Sequence, residues 1–323
     1  MEAVQVSVVG ADGKVRQEAA DGRPLAALMP EGGGFVWAHV NFGTAAGRAW
    51  IDASGLDPVA AASLVAEETR PRCAVDGDLI LMNLRGMNLN PGAEPEDMVS
   101  LRLVAGRGML VTSLRRNLIA IDDVMAGLKS GRAPASPGDL LSRIAIRLAD
   151  RAEPVVGEMM DQMDDLEDAA DAELTSELRA RLADLRSAAL KIRRFMLPQR
   201  EALTTLDVED PDWMSRHDKS RLREATERVT RLGEELDAIR DRAQVVRDSI
   251  ADRRAEMMNQ RMMLLAVVTA IFLPLGLITG LLGINVGGIP GQNSHVAFWV
   301  VAGTLVVLAG GLLLLFWRLA WIR

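Results

Sequence analysis

Residues 262–282 read MMLLAVVTAIFLPLGLITGLL and contain no formally charged side chain. A second stretch of the same length, residues 297–317, reads AFWVVAGTLVVLAGGLLLLFW and is equally free of charge. A helix of about 20 apolar residues is long enough to cross the roughly 30 Å hydrocarbon core of a bilayer. The sequence therefore predicts two transmembrane helices, joined by the short uncharged segment 283–296.

Basic residues flank this pair of spans: Arg253, Arg254 and Arg261 before the first, and Arg318 and Arg323 after the second. Because Lys and Arg accumulate on the cytoplasmic side of membrane helices, we expect both termini in the cytoplasm and the segment 283–296 outside. The N-terminus has no basic segment followed by an apolar run, so we expect no signal peptide. Residues 261–323 thus form the predicted transmembrane domain.

The first 135 residues mix strand-like and helix-like runs. Short runs rich in β-branched or large apolar residues, bounded by Gly, Asp or Asn, predict strands at residues 4–9, 35–40, 78–84, 99–104 and 109–113. Residues 58–68 and 118–129 are typical of helices, with glycine-rich turns between elements. The sequence predicts an α+β protein whose N-terminal part is a mixed α/β domain.

Residues 136–260 are predicted to be helical and highly charged. We expect helices at 139–157, at 158–177 (strongly acidic) and at 178–197 (basic, ending at Pro198). Asp210 as cap and Pro211 as first helical residue predict the start of the longest helix. Its apolar residues alternate at spacings of three and four: Leu222, Ala225, Val229, Leu232, Leu236, Ile239, Ala243, Val246 and Ile250. This seam requires neighbours from its own chain, from other subunits, or from both.

Composition excludes several classes of function. The formal net charge is −7, which disfavours nucleic acid as a partner because phosphate binding needs a basic surface. Cysteine occurs once and histidine three times, so one chain offers few zinc ligands. The sequence has no nucleophile elbow, phosphate-binding glycine loop or HExxH motif, and we expect neither an enzyme nor a resident cofactor.

The first span carries a stripe of small or hydroxyl residues on one helical face: Thr269, Gly276, Gly280 and Gly283. Such a stripe is typical either of a pore-lining surface or of close helix–helix packing. Two helices from one chain cannot enclose a wet pathway, so a pore would require several subunits. Pro274 within the span predicts a kink.

The span ends in Gly283-Ile284-Asn285, followed by the uncharged run VGGIPG at 286–291. With this motif and topology the chain resembles the CorA superfamily of divalent-cation transporters, and more closely its ZntB zinc-transport branch. CorA proper has Met in the middle of the motif, where ZntB members have another aliphatic residue. Further segments similar to ZntB, in the same order, are ETRPR at 68–72, DDV at 122–124, RRFMLPQR at 193–200 and FLP at 272–274.

The resemblance implies a funnel-shaped homopentamer in the bacterial inner membrane that transports zinc. Asn285 would stand at the outer mouth with Gly283 and Ile284, and five amide carbonyls would hold a hydrated cation through its water shell. A transporter of magnesium, cobalt or nickel with the same fold is the closest alternative. A non-conducting, membrane-anchored coiled-coil scaffold is the alternative from another class.

Counting back from the motif places the family's pore positions on Asn259, Met262, Leu273 and Gly276. Met262 and Leu273 would form apolar constrictions, and Gly276 stands where CorA proper has Thr. Contact with lipid or with another helix is the alternative for the two apolar residues, and simple solvation is the alternative for Asn259.

Other polar residues have two interpretations each. The acidic residues Asp161, Asp164, Asp165 and Asp168 either attract cations or bind a regulatory metal between subunits, or they form a solvated face. His295 is either a loop residue or a zinc ligand. His39 lies in a predicted strand, where a structural role is expected.

Overall fold

The structure is a computed structural model that describes residues 2–67, 69–172, 175–284, 289, 291 and 294–318. The chain divides into two compact units, Met1–Val246 and Arg247–Arg323. The three-part division at residues 135 and 260 stays a prediction.

The first unit is built on a mixed seven-stranded sheet of order β2-β1-β3-β7-β6-β5-β4. Its strands are β1 Val4–Gly10, β2 Val15–Glu18, β3 Gly34–Asn41, β4 Arg72–Asp76, β5 Leu79–Gly86, β6 Val99–Gly106 and β7 Met109–Leu114. Strands β3 and β7 pair in parallel, and every other pair is antiparallel. The five predicted strands are all present. The two that were missed, β2 and β4, are the edge strands, whose largely exposed residues lack an apolar signal.

Three short helices accompany the sheet: α1 Ala45–Ala53, α2 Pro58–Val65 and α3 Ile119–Lys129. Helices α1 and α2 contribute Trp50, Ile51 and Leu64 to a core that also contains Val36 and Val40 of β3. Burial of such side chains stabilises a fold by about 1.5–3 kcal/mol each. Phe35 and Trp37, on the opposite face of β3, are buried as well. Burial on both faces explains why that strand reads as a continuous apolar run.

Four long helices follow: α4 Pro137–Ala172, α5 Ser176–Glu209, α6 Arg216–Gly283 and α7 Ala297–Arg318. Helix α4 is continuous through exposed Pro154, so the predicted break between residues 157 and 158 is wrong. The acidic helix also ends earlier than predicted, because Glu177 belongs to the first turn of α5. There the Thr175 hydroxyl accepts a hydrogen bond of 3.1 Å from the amide of Leu178 and caps the new helix.

The predicted stop of the basic helix at Pro198 is wrong, since α5 continues to Glu209. A proline inside a helix removes one backbone hydrogen bond. Pro198 is nevertheless buried, and so are Phe195 and Ala202 one turn away on either side. Packing of this face therefore outweighs the local cost of the proline.

The predicted start of the longest helix at Asp210 and Pro211 is also wrong. Asp210 ends α5 in the left-handed conformation with φ 51°. Helix α6 begins at Arg216, after a reciprocal cap between Ser215 and Asp218. The Ser215 amide donates to the Asp218 carboxylate at 3.0 Å, and the Asp218 amide donates to the Ser215 hydroxyl at 3.2 Å. Helix α6 then runs without a break into the apolar segment.

The apolar seam of α6 is fully buried, with no seam residue more than 8% exposed. Ion pairs join α6 to α4 in register: Arg228 to Asp150, Arg231 to Glu153, and Arg242 to Asp164. Each of these pairs is 78 residues apart, and a constant offset means that α4 and α6 run in the same direction. Helix α4 supplies a matching buried stripe that includes Val156 and Met163. The seam therefore closes within the chain, and it does not by itself require other subunits.

Candidate cation pathway in helix α6

The second unit contains the two most apolar segments of the protein. The end of α6 and the whole of α7 each reach a mean hydropathy of 2.4 over a membrane-length window. Both are long and apolar enough to cross a bilayer. These are the two spans expected from the sequence.

One face of each apolar helix is covered within this unit. The covered residues of α6 are Met263, Val267, Ile271, Pro274, Leu275 and Ile278. Those of α7 are Ala297, Val301, Ala302, Leu305, Leu308, Ala309, Gly310, Leu312 and Phe316. In α6 the covered residues recur mainly at spacings of three or four residues, as expected of a helix with one covered face. Val267, only 4% exposed, is the best covered residue of the pair.

The four predicted pore positions lie on another face of α6. Asn259, Met262, Leu273 and Gly276 are all exposed, Met262 by 54% and Leu273 by 72%. At about 100° per residue, their mean direction lies roughly 140° around the helix axis from the covered stripe. The structure thus brings the four positions together on the side of α6 that lies away from its covered stripe.

The stripe of small residues is not used for packing inside the chain. A Cβ atom added at Gly276, Gly280 or Gly283 would meet no atom within 4 Å. The hydroxyl of Thr269 donates to the carbonyl of Leu265 at 2.8 Å, which leaves it engaged with its own helix. The three glycines are therefore not closely packed within the described part of the chain, and the space beside them is open to another chain or to a pore.

The predicted outer mouth is only partly described. Gly283 ends α6, and Ile284 is 51% exposed. Asn285 and residues 286–288 lie outside the described residues. The role expected for Asn285 therefore stays a prediction.

The acidic residues of α4 do not form a metal site within one chain. Asp161, Asp165 and Asp168 are exposed. Asp164 is paired with Arg242, which also binds Glu167 at 2.9 Å through Nε. Throughout the described ranges, no group of three or more His, Cys, Asp or Glu residues is placed to hold a metal ion. A metal between subunits, or an attraction of cations by the exposed carboxylates, stays a prediction.

Two histidines have contrasting surroundings. His39 is buried in β3, and its Nδ1 lies 2.8 Å from the Thr112 hydroxyl, which also accepts a hydrogen bond from Trp37. Burial lowers the pKa of His39 to about 4, so the ring is neutral at physiological pH. This agrees with the structural role expected for it. His295 is exposed in the segment before α7.

The ion pairs between α4 and α6 were missed in the sequence. Their signal is present, because Asp150, Glu153 and Asp164 recur in Arg228, Arg231 and Arg242 at one offset of 78 residues. Without knowing that the two helices are parallel neighbours, such an offset cannot be distinguished from chance. Arg228, Arg231 and Arg242 therefore stabilise the contact between α4 and α6.

The described features define a protein with an N-terminal sheet domain, long charged helices and two apolar C-terminal helices. Residues 32–318 match the family described as "CorA-like Mg2+ transporter protein". The chain belongs to this CorA family of divalent-cation transporters.

Similar proteins carry two different names. The chain is 37% identical over 302 residues to the "Divalent cation transporter CmaX" of Pseudomonas aeruginosa, covering 91% of this chain and 89% of CmaX. It is 33% identical over 276 residues to the "Zinc transport protein ZntB" of Pectobacterium carotovorum, covering 85% and 84%. The solved structure of full-length CmaX superposes with a TM-score of 0.84 at 34% identity and covers 99% of both chains. The family is therefore shown, whereas the preferred cation is a separate question.

Proposed function

We propose that this protein is a homopentameric transporter of divalent metal cations in the bacterial inner membrane, with zinc as its main substrate. The pathway is lined by the face of α6 that carries Asn259, Met262, Leu273 and Gly276. The observation that carries this proposal is that all four positions lie on the side left open by the chain's own helices.

Several copies are needed because two helices cannot surround an aqueous pathway. The glycines at positions 276, 280 and 283 leave open space on the same side of α6, so other copies can approach its backbone closely. The number five comes from the family resemblance. The buried seam of α6 gives no support here, since α4 already covers it.

The chemistry of the pathway favours a cation that keeps its water. Zinc sites in proteins are usually built from Cys and His side chains. The four positions on the open face offer an amide, a thioether, an aliphatic chain and a glycine instead. A ring of Asn285 carbonyls at the mouth, next to Gly283 and Ile284, would hold a hydrated ion weakly enough to release it.

Magnesium, cobalt and nickel form the second candidate set of substrates. It is favoured by the similarity to CmaX, whose name specifies divalent cations rather than zinc. A hydrated ion held by neutral oxygens is also discriminated only modestly from other divalent ions. We therefore expect zinc transport together with measurable transport of at least one of the other metals.

The orientation follows from the charges beside the spans. Arg261 precedes the first apolar segment and Arg318 ends the second, so both termini are placed in the cytoplasm. The first unit, with its sheet and acidic helix, then also lies in the cytoplasm. Exposed Asp161, Asp165 and Asp168 would raise the local concentration of cations there.

The test is metal flux into proteoliposomes with an entrapped indicator, run in parallel with zinc, magnesium and cobalt. The wild-type protein should transport zinc, and Asn285→Ala should lose most of that flux while the purified oligomer keeps its thermal stability. Asn293→Ala makes the same substitution elsewhere in the predicted outer segment and should transport normally. Normal flux in Asn285→Ala would remove this residue from the mechanism. Absence of flux for every metal in the wild type would favour a non-conducting scaffold.

A further inference from the structure

A basic cavity of about 640 Å³ lies in the first unit, between the sheet and α5. Six cationic side chains line it: Arg85 on β5, Arg102 on β6, Arg115 and Arg116 after β7, and Lys191 and Arg194 on α5. Three carboxylates, those of Glu67, Glu96 and Asp97, share the lining. The cations therefore exceed the carboxylates by three in a protein whose formal net charge is −7.

Arg102 is the most deeply placed of these cations, with 5% of its surface exposed. Its Nε donates to the carbonyl of Ala66 at 2.8 Å, its Nη1 donates to the carbonyl of Ser100 at 3.5 Å, and its guanidinium lies 4.5 Å from the ring centre of Phe42. Among the described residues, no carboxylate pairs with Arg102 and its Nη2 has no hydrogen-bond partner. A buried charge without a counter-charge is costly, and this one faces an open cavity.

Arg85 is held in a similar way by neutral groups. Its Nε donates to the carbonyl of Thr69 at 3.2 Å, and its Nη1 donates to the carbonyl of Met98 at 3.0 Å. Its guanidinium lies 4.0 Å from the ring centre of Phe195. Carbonyls and an aromatic ring fix the position of the guanidinium but do not neutralise its charge.

Like charges are close enough to affect one another in the cavity. Burial, followed by the charges of Arg85 and Arg115, lowers the pKa of Arg102 to about 10. Burial, followed by the charge of Arg194, also lowers the pKa of Arg85. By contrast, the pKa values of Arg228 and Arg242 on α6 are raised, chiefly because Glu224 binds Arg228 and Glu167 binds Arg242.

The carboxylates of the cavity do not balance these arginines. Glu96 is engaged with Lys191 at 3.5 Å. Within the described part of the chain, Glu67 and Asp97 form no ion pair, and Glu68 lies outside that part. Two segments that carry the family resemblance, at 68–72 and 193–200, meet at this place through Thr69, Arg194 and Phe195. Residues far apart in the sequence thus converge on one positive cavity that the cation pathway does not use.

We propose that this cavity binds a multivalent oxyanion of the phosphate class, such as pyrophosphate or the phosphate chain of a nucleotide. Guanidinium groups present paired N–H donors that match the geometry of phosphate oxygens. Arg85 and Arg102 are already oriented, so little side-chain freedom is lost on binding. The volume admits an anion of this size together with ordered water. The site is independent of which cation the protein transports.

The test is calorimetric titration of the full-length protein in detergent with potassium pyrophosphate, in metal-free buffer of low ionic strength. The variant Arg115→Gln/Arg116→Gln/Arg194→Gln removes three exposed cavity cations and retains the half-buried Arg85 and the buried Arg102. Its control is Arg16→Gln/Arg107→Gln/Lys129→Gln, which removes the same charge at exposed positions outside the cavity. We expect saturable binding to the wild type and to the control, and binding weaker by about tenfold or more in the cavity variant.

Four outcomes would overturn the proposal. The wild type could give no saturable binding of pyrophosphate. The control could weaken as much as the cavity variant, which would indicate a diffuse effect of charge. The cavity variant could also dissociate the oligomer while the wild type binds no pyrophosphate, which would assign the arginines to a contact between subunits. A parallel titration with citrate distinguishes a phosphate site from a site for any multivalent anion. Tighter binding of citrate than of pyrophosphate would overturn the assignment to phosphate.

Discussion

Leu273→Ser and Leu275→Ser make the same substitution on opposite faces of one helix. The two residues differ in depth by only about 3 Å along α6, but they are separated by about 200° around its axis. Leu273 is 72% exposed on the proposed pore face, whereas Leu275 belongs to the stripe covered within the second unit. Any difference between the two variants therefore reports on the face rather than on the depth or the chemistry of the change.

The expected size of the effect follows from the apolar surface at each position. A leucine side chain prefers an apolar surrounding to water by about 1.5–3 kcal/mol. A ring of five such side chains therefore favours a dry constriction by at most on the order of 10 kcal/mol. A loss of about 1.4 kcal/mol from the closed state already changes a rate tenfold. We expect Leu273→Ser to raise the basal zinc leak by about tenfold or more.

The free energy of unfolding should respond in the other variant: it should change little in Leu273→Ser and fall in Leu275→Ser. The exposed Leu273 side chain supports little of its own chain, so its replacement should alter the free energy of unfolding by about 0.5 kcal/mol or less. Leu275 is partly covered, and its replacement should cost about 1–2 kcal/mol, below the range for fully buried leucines. Leu275→Ser should leave the leak unchanged.

The assay combines zinc leak into proteoliposomes with thermal unfolding of the same preparation. A leak in Leu275→Ser without one in Leu273→Ser would reverse the assignment of the faces. Equal leaks in both variants would show that the constriction does not depend on the face of α6. Either result would refute the placement of Leu273 in the pathway.

Native mass spectrometry of the detergent-solubilised protein should show a pentamer, and a monomer or dimer as the only active species would contradict the proposed assembly. The triple change Asp161→Asn, Asp165→Asn and Asp168→Asn should lower zinc uptake at low ionic strength and have little effect near 0.15 M salt, where surface charges are screened; unchanged uptake at low salt would leave these residues as a solvated face. His39 has a folded pKa of about 4, below its ordinary value of 6.5, so its neutral form stabilises the fold above pH 6.5 and this contribution is lost as the pH falls towards 4. The loss is about 3 kcal/mol, and acid unfolding of the full chain should be less steep in His39→Gln than in the wild type; equal steepness would place the acid sensitivity elsewhere.

The central strands of the sheet could be predicted because each is apolar on at least one covered face. Strands β2 and β4 could not, since they are short, largely exposed edge strands in which apolar and polar residues do not alternate regularly. Helix ends were predicted less well, because local signals compete with packing. Pro198 is a strong stop signal by itself, but the buried residues around it keep α5 helical to Glu209. In the same way, the cap at Ser215 and Asp218 prevailed over the more familiar Asp-Pro pair at 210 and 211.

The candidate pathway shows a similar division. The position of the first span was evident from its missing charges. The covered face of α6 was not, because a helix that is apolar all round carries no amphipathic signal. The pore positions came from the resemblance alone. The covered stripe of α6, with Val267 the best covered residue in it, is a separate observation, and the pore positions lie on the other side of the helix. The basic cavity has no sequence signal at all, since its arginines come from two adjacent strands, a loop and a distant helix.

Pro274 bears on whether α6 crosses the membrane as part of a larger assembly. A proline has no N–H, so the carbonyl of Ala270 loses its usual helical partner in the middle of the apolar segment. An unpaired carbonyl in hydrocarbon costs several kcal/mol, unless a neighbouring helix, a side chain or water satisfies it. Apolar surface alone creates no demand for a partner inside a lipid bilayer. A polar backbone group at this depth does create such a demand, and it disfavours a span surrounded by lipid alone. Because Pro274 lies in the stripe that is covered within the second unit, a helix of the same chain can meet this demand as well as water or another subunit can.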